Sequence, residues 1–224
     1  MVEGRVVLAV DVGGSHVKVL ASGETESRRA PSGPELVPAE MVSAALGAAE
    51  GWRWDVVTVG VPAPVHGGRV VSEPFNLGRG WVGFDFESAF SVPTRVMNDA
   101  AMQALGSYEG SGTMLFLGLG TGLGSALITD GVIEAMELGH LPFKKKTFED
   151  YVGEHGRKRL GRKRWQKVVF EAVEHLSAAL EPDTIVLGGG NAAKLEELPA
   201  KAQRGSNGNA FIGGFRSWHA DATR

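Results

Sequence analysis

Two stretches of this 224-residue chain have the same build. Residues 7–20 read VLAVDVGGSHVKVL and residues 114–127 read MLFLGLGTGLGSAL. Each is an apolar strand, a glycine-rich turn and a second apolar strand. Glycine suits such turns because, lacking a Cβ, it lets the backbone bend tightly and leaves its N–H groups unobstructed. This internal echo is weak, but it is the feature that bears most on the fold. Two such hairpins point to two similar lobes facing a cleft, against the plainer reading that glycine-rich hairpins resemble one another by chance.

The intervening sequence supplies the rest of both lobes. Strand-like runs occur at Arg5–Val10, Val17–Ala21, Val56–Val61, Thr94–Met97, Met114–Leu117, Ser125–Thr129 and Thr184–Leu187. Helices are expected over Pro38–Glu50, over Asp99–Tyr108 after an Asn-Asp capping pair, and over Ala210–Trp218. Arg162–Leu180 carries Trp165, Val168, Val169, Ala172, Val173, Leu176 and Leu180 at helical spacing. Strands alternating with helices give an α/β protein. The expected division is a small lobe over 1–97, a larger lobe over 98–206, and a helix over 207–224 that packs back on the first lobe. An apolar share of 43% excludes a disordered chain. With no cysteine at all, disulfides, thiolate zinc sites and cysteine nucleophiles are excluded. No apolar run is long enough for a signal peptide or a membrane span, so a cytoplasmic protein without a membrane partner is expected.

Phosphate loops favour glycine because backbone N–H groups converge on an anion only where side chains do not intrude. The first turn adds to Gly13 and Gly14 a carboxylate (Asp11), a hydroxyl (Ser15) and a cation (Lys18). Asp11 can hold a magnesium-bound water, Ser15 can donate to a phosphate oxygen, and Lys18 can neutralise charge. The alternative is an ordinary hairpin with a solvated lysine. The second turn, Gly118 to Gly124, fails the dinucleotide fingerprint, since the third glycine would fall at Leu123 or Ser125. No Walker or protein-kinase signature occurs. A third cluster, Gly188-Gly189-Gly190-Asn191, follows a strand and opens a possible helix, a turn that can accept a base or part of a phosphate chain.

Taken in order, DVGGSHVK, VMNDAA, LGLGTGLGSALI, ELGHLPF and VLGGGN resemble the ROK sugar kinases of the actin/hexokinase superfamily. The segment ELGHLPFKKKTFEDYVGEHGRKRLGRKRW resembles the polyphosphate glucokinase branch of that family. The resemblance implies a two-lobed actin-like ATPase (ribonuclease H-like) fold with the sugar in the interlobe cleft. It implies Asp99 as catalytic base for the sugar 6-hydroxyl, with Asn98, Glu137, His140 and Glu149 as sugar ligands. Asn76 resembles a sugar-side asparagine of the branch, and Trp81 its companion tryptophan. Asp11, Gly13, Gly14, Ser15 and Lys18 match the first phosphate motif, Gly120, Thr121 and Gly122 the second, and Gly189 and Gly190 the nucleotide turn. Without the resemblance, Asp99 reads equally as a helix N-cap and His140 as a structural histidine.

Departures from the family pattern carry their own expectations. Many ROK proteins have a cysteine-rich zinc motif after E-x-G-H; here the stretch is KKKTFED, so zinc is not expected and His140 is left for the sugar. Ala63 stands where many relatives have glycine. The chain begins at the first strand, which argues against the DNA-binding module of the repressor branch. The implied cofactor is Mg2+, held through Asp11, and the family tendency to dimerise makes a homodimer the expected assembly.

Charge is distributed unevenly. Residues 144–167 hold ten basic and three acidic residues, a net +7, while the other 200 residues carry 13 basic and 23 acidic, a net −10. Lys144, Lys145, Lys146, Arg157, Lys158, Arg162, Lys163 and Arg164 are the candidate polyphosphate contacts. Cations in the first turn of the Arg162 helix oppose its macrodipole, an arrangement that a bound polyanion relieves. The plain reading is a solvated basic face. Nucleic acid is a poorer fit, with one tryptophan among the charges and no stacking pattern. The expected function is phosphoryl transfer from polyphosphate and/or ATP to the 6-hydroxyl of glucose. The alternatives are an ATP-only kinase for another hexose or amino sugar, and a non-catalytic sugar or polyanion sensor of the same fold.

Overall fold

The computed structural model describes residues 4–219. The chain folds as two compact units, Met1–Gly106 with Ala210–Arg224, and Ser107–Asn209.

In the first unit, β1 (Val7–Val12) turns into β2 (His16–Ala21) and then β3 (Arg28–Pro31). Helix α1 (Pro38–Ala48) leads to β4 (Val56–Val61), the short hairpin β5 (Val65–His66) and β6 (Arg69–Val70), α2 (Phe86–Phe90), β7 (Thr94–Asn98) and α3 (Asp99–Ser107). The sheet order is β3-β2-β1-β4-β7, with β1, β2 and β3 antiparallel and β1, β4 and β7 parallel. Both β1 and β4 are buried along their whole length, which explains their unbroken apolar runs. One face of the sheet packs Leu8, Val10 and Val57 against Met41 and Val42 of α1, with Trp81 and Phe86.

In the second unit, β8 (Thr113–Leu119), β9 (Leu123–Thr129) and β10 (Val132–Met136) form an antiparallel meander. A hairpin of β11 (Pro142–Phe143) and β12 (Lys146–Thr147) precedes α4 (Phe148–Val152), α5 (Glu154–Leu160) and α6 (Arg162–Leu180). Then come β13 (Thr184–Gly188) and β14 (Ala202–Arg204), after which α7 (Asn209–Arg216) returns the chain to the first unit. The order β10-β9-β8-β13-β14 repeats the first unit's plan, with β8, β13 and β14 parallel. Trp165, Val169, Ala172, Val173 and Leu176 of α6 are buried against Leu115, Leu117, Ile185 and Leu187. The indole of Trp165 donates to the Val152 carbonyl at 2.8 Å, tying α4 to α6.

Two features depart from the sequence reading. The units divide at 106/107 and 209/210 rather than at 97/98 and 206/207. The reason is that α3 stays with β7, clamped by α7. A Cβ on Gly213 would overlap the Met102 carbonyl, and Arg216 donates to the Leu105 carbonyl at 2.9 Å. The possible helix after Gly188-Gly189-Gly190 does not form beyond one turn. Gly189 takes φ +78°, a single 3₁₀ turn covers Ala192–Lys194, and the chain is extended at Leu195, which is buried. That cluster therefore offers no helix dipole to an anion.

Candidate active site

The first unit's glycine turn begins with a cross-strand pair. Asp11 and Lys18 lie opposite one another in the β1–β2 register, so their side chains share a face, and Lys18 Nζ reaches Asp11 Oδ2 at 3.3 Å. Burial pushes the Asp11 carboxyl up, against the pull of Lys18. The Gly13 N–H donates to the His16 carbonyl at 3.0 Å and closes the turn, leaving Gly14 and Ser15 exposed. Asn76 lies beside Gly14, where an added Cβ would be 3.7 Å from the Asn76 Cβ. Its loop is fixed by buried Pro74, Leu77 and Trp81, and by the Glu73 carboxylate, which accepts from Gly80 and Trp81 N–H groups at 3.2 and 3.1 Å.

The same unit separates the two residues of the Asn-Asp pair. Asn98 is the cap of α3: its Oδ1 accepts from the Ala100 and Ala101 N–H groups at 3.0 and 3.1 Å. Its Nδ2 donates to the Ala63 carbonyl at 3.2 Å, so most of the amide is committed to the fold. Asp99 is the first helical residue, with Oδ1 accepting from Ala100 N–H at 2.8 Å. Asn98 and Asp99 thus share the Ala100 N–H, and Asn98 also takes that of Ala101.

In the second unit the β8–β9 turn is Gly120-Thr121-Gly122, between the paired Leu119 and Leu123. It packs tightly on α4: a Cβ on Gly122 would lie 2.5 Å from Glu149 Oε2, and one on Gly153 would lie 2.5 Å from the Thr121 carbonyl. Beside it stand three of the expected sugar ligands. His140 Nδ1 is 3.9 Å from Glu137 Oε2, and His140 Nε2 is 3.7 Å from Glu149 Oε1. Burial raises the Glu137 carboxyl and Glu149 adds to the rise, while His140 opposes it. Glu149 is presented by a capping box in which Thr147 and Asp150 satisfy each other's backbone N–H groups. Glu137 is held by Ser125, whose buried hydroxyl donates to the Met136 carbonyl at 2.6 Å and accepts from the Leu138 N–H at 3.1 Å.

The third glycine cluster closes on the second turn. Gly189 lies against β8, where a Cβ would be 2.5 Å from the Leu119 carbonyl, so glycine is required there both sterically and by its positive φ. Gly190 faces open space. Asn191 is buried, its N–H donating to the Leu119 carbonyl at 2.9 Å and its Nδ2 to the Gly120 carbonyl at 3.0 Å.

The basic segment is not one uniform cationic face. Lys144 pairs with Glu171 at 2.5 Å, Lys146 with Asp150 at 4.0 Å, Arg157 and Lys158 with Glu154, and Arg162 with Glu196 at 3.4 Å. Lys145, Lys163 and Arg164 are exposed and make no ion pair among the described residues. Sequence reasoning missed Ser125, Glu154 and Lys194. Only Ser125 carried a signal, a hydroxyl in the middle of a mostly apolar strand.

The chain resembles known proteins in sequence and in fold. The ROK family model matches residues 7–158. The chain is 26% identical to the polyphosphate glucokinase of Mycobacterium tuberculosis, over 84% of this chain and 78% of that protein. Among solved structures, it matches the inorganic polyphosphate/ATP-glucomannokinase of Arthrobacter sp. strain KM with a TM-score of 0.82 at 22% identity, covering 94% of this chain and 97% of the other. It matches a ROK family glucokinase from Streptomyces griseus, solved with glucose and AMPPNP, with a TM-score of 0.76 at 16% identity, covering 93% and 97%. The fold is the α/β, actin-like ATPase fold of these proteins.

Proposed function

The chain belongs to the ROK family, and from that premise we propose that it is a sugar kinase acting on the 6-hydroxyl of glucose, with polyphosphate as donor and ATP as a second donor. The observation that carries the reading is the convergence of Glu137, His140 and Glu149 beside the Gly120-Thr121-Gly122 turn. Carboxylates and an imidazole at these spacings suit vicinal sugar hydroxyls, and the turn beside them suits a phosphate. The kinship with polyphosphate glucokinase and with polyphosphate/ATP-glucomannokinase supports both the acceptor and the donors.

In this reading Glu137, His140, Glu149 and Asn76 orient the sugar, and Asn98 adds its remaining amide N–H. Asp99 accepts the proton of the 6-hydroxyl as that oxygen attacks the terminal phosphorus and the bond to the leaving phosphate oxygen breaks. The products are glucose 6-phosphate and a donor shortened by one phosphate. Lys18 and Ser15 meet the donor from the first turn, the backbone of residues 120–122 from the second, and Gly190 leaves room for a nucleotide. Most of the catalysis is positioning and charge stabilisation.

The Asp11 side chain fits a magnesium ion. It is a buried carboxylate, and Lys18 offsets only part of the cost that burial puts on its ionised form, while Mg2+ commonly takes one or two carboxylates together with substrate phosphates. Among the described residues no cluster of three or more acidic or histidine side chains would hold a metal alone, so Asp11 and the donor would share it. When bound, the ion neutralises charge on the transferring phosphate. Among the described residues no helix is long and apolar enough to cross a membrane.

The test is formation of glucose 6-phosphate from each donor with Mg2+. Omitting the metal should abolish turnover with both donors, and turnover that persists in chelator would contradict the role given to Asp11.

A further inference from the structure

One acidic side chain beside the second glycine turn is surrounded by cations. Arg157 grips Glu154 with two bonds, Nε to Oε2 at 2.8 Å and Nη2 to Oε1 at 2.7 Å. Lys158 Nζ lies 3.5 Å from Oε1 and Lys194 Nζ 3.7 Å from Oε2. Lys194 also donates to Asn191 Oδ1 at 2.7 Å. Three cations thus share one carboxylate and leave a local charge of +2. The Arg157 bonds, with help from Asn191 and Lys194, hold the Glu154 carboxyl down to about 2, so it stays ionised.

The position of this cluster gives it a use. The Glu154 backbone N–H donates to the Gly120 and Thr121 carbonyls at 3.0 and 3.1 Å, and Asn191 Nδ2 donates to the Gly120 carbonyl. The cations therefore begin where the proposed phosphate turn ends. They also continue: Arg162 Nε donates to the Lys194 carbonyl at 3.0 Å, and Lys163 and Arg164 follow it, exposed, in a helical first turn that holds no acid. The head groups of Lys158 and Lys194 are open to solvent, with side chains 72% and 43% exposed. A series of solvent-open cations that continues beyond the turn suits an extended condensed phosphate, which carries charge along its whole length.

We propose that Lys194, Arg157 and Lys158 form a subsite for the distal phosphates of a condensed-phosphate chain, which Glu154 occupies as an internal anion until the chain displaces it. Lys194 then sets the preference for this donor over a nucleoside triphosphate. The inference rests on the donor reading above and assigns the residues that distinguish the two donors.

Two measurements test it on the full chain. The first is the ratio of kcat/KM with polyphosphate to kcat/KM with ATP, compared between wild type and Lys194→Ala. The ratio should fall about tenfold; a ratio within twofold of wild type would overturn the assignment. The second is calorimetric binding of polyphosphate without sugar, which needs no turnover. Lys194→Ala should weaken it, and Glu154→Gln, checked for folding by circular dichroism, should tighten it. Weaker binding by folded Glu154→Gln would overturn the displacement role. If the wild type binds polyphosphate through Lys194 but makes no sugar phosphate, the kinase reading fails and the subsite stands. If it is an active kinase whose donor ratio ignores Lys194, the subsite fails and the kinase reading stands.

Discussion

Asn98 and Asp99 are adjacent, polar and both competent to cap a helix, yet the fold uses them differently. Asn98 spends its carbonyl oxygen on the Ala100 and Ala101 N–H groups, while Asp99, one residue into the helix, meets only the first of these through Oδ1. Sequence alone cannot divide these duties, because the division depends on which residue is last in β7. Replacing Asp99 with Asn preserves shape and removes the proposed base. Turnover should fall by about 10²–10⁴-fold, with little change in glucose binding measured by calorimetry. Ser125 acts at one remove, through the two backbone groups flanking Glu137. Ser125→Ala leaves those groups without their partner, at about 1–3 kcal/mol, and should raise KM for glucose more than it lowers kcat. Equal losses in both parameters would count against a positioning role.

The two glutamates with displaced carboxyl pKa values give opposite pH signatures. Glu154 is held down to about 2 from its ordinary 4.5. Its contribution to stability is therefore present above pH 4.5 and is lost as pH falls towards 2. Glu137 is raised, chiefly by burial. Its contribution is present below 4.5 and is lost as pH rises through the raised folded value. Denaturation midpoints should show Glu154→Gln less stable than wild type at neutral pH, with the gap closing on acidification. Glu137→Gln should show the reverse, gaining on wild type as pH rises. Parallel pH profiles for all three proteins would contradict these assignments.

At the level of elements, the sequence was most legible where burial is two-sided or strictly periodic. Strand β4 matches its expected bounds because every residue of VVTVGV is buried, and α6 matches because its apolar stripe runs from Trp165 to Leu176. The two glycine hairpins were found, but their strands reach further into the turns than an apolar run reveals, since Asp11, Gly118 and Gly124 pair in register. Edge strand β3, mostly exposed RRAP, carries no apolar run, and edge strand β10, VIEAM, is apolar in sequence yet mostly exposed and shows no alternation. Helices α4 and α5 are five and seven residues long, too short to show a period and separated by glycines. Helix α7 was anticipated, but the need for its two glycines was not. A Cβ on Gly214 would come within 2.7 Å of Ala9 Cβ, and one on Gly213 would meet the α3 backbone. Gly213→Ala should cost about 1–3 kcal/mol through overpacking, read as a lower urea midpoint with an unchanged m-value. A neutral effect would mean that α7 is free to shift away from α3.

On the scale of the whole molecule, the weak echo between residues 7–20 and 114–127 corresponds to two sheets with one strand plan, β3-β2-β1-β4-β7 and β10-β9-β8-β13-β14. What an isolated pair of hairpins could not establish, ten strands in matching order do. The charge asymmetry was equally visible in the sequence, but not its internal accounting. Part of the +7 is offset by acids outside the segment, Glu171 against Lys144 and Glu196 against Arg162, and the imbalance that persists is concentrated around Glu154 and the start of α6. The central claim is phosphoryl transfer to a sugar with Asp99 as base. It is tested most directly by measuring glucose 6-phosphate formed from polyphosphate and from ATP by wild type and Asp99→Asn side by side. The account predicts product from both donors with wild type and at least a hundredfold less with the variant. No product from either donor with wild type, or undiminished turnover by Asp99→Asn, would contradict it.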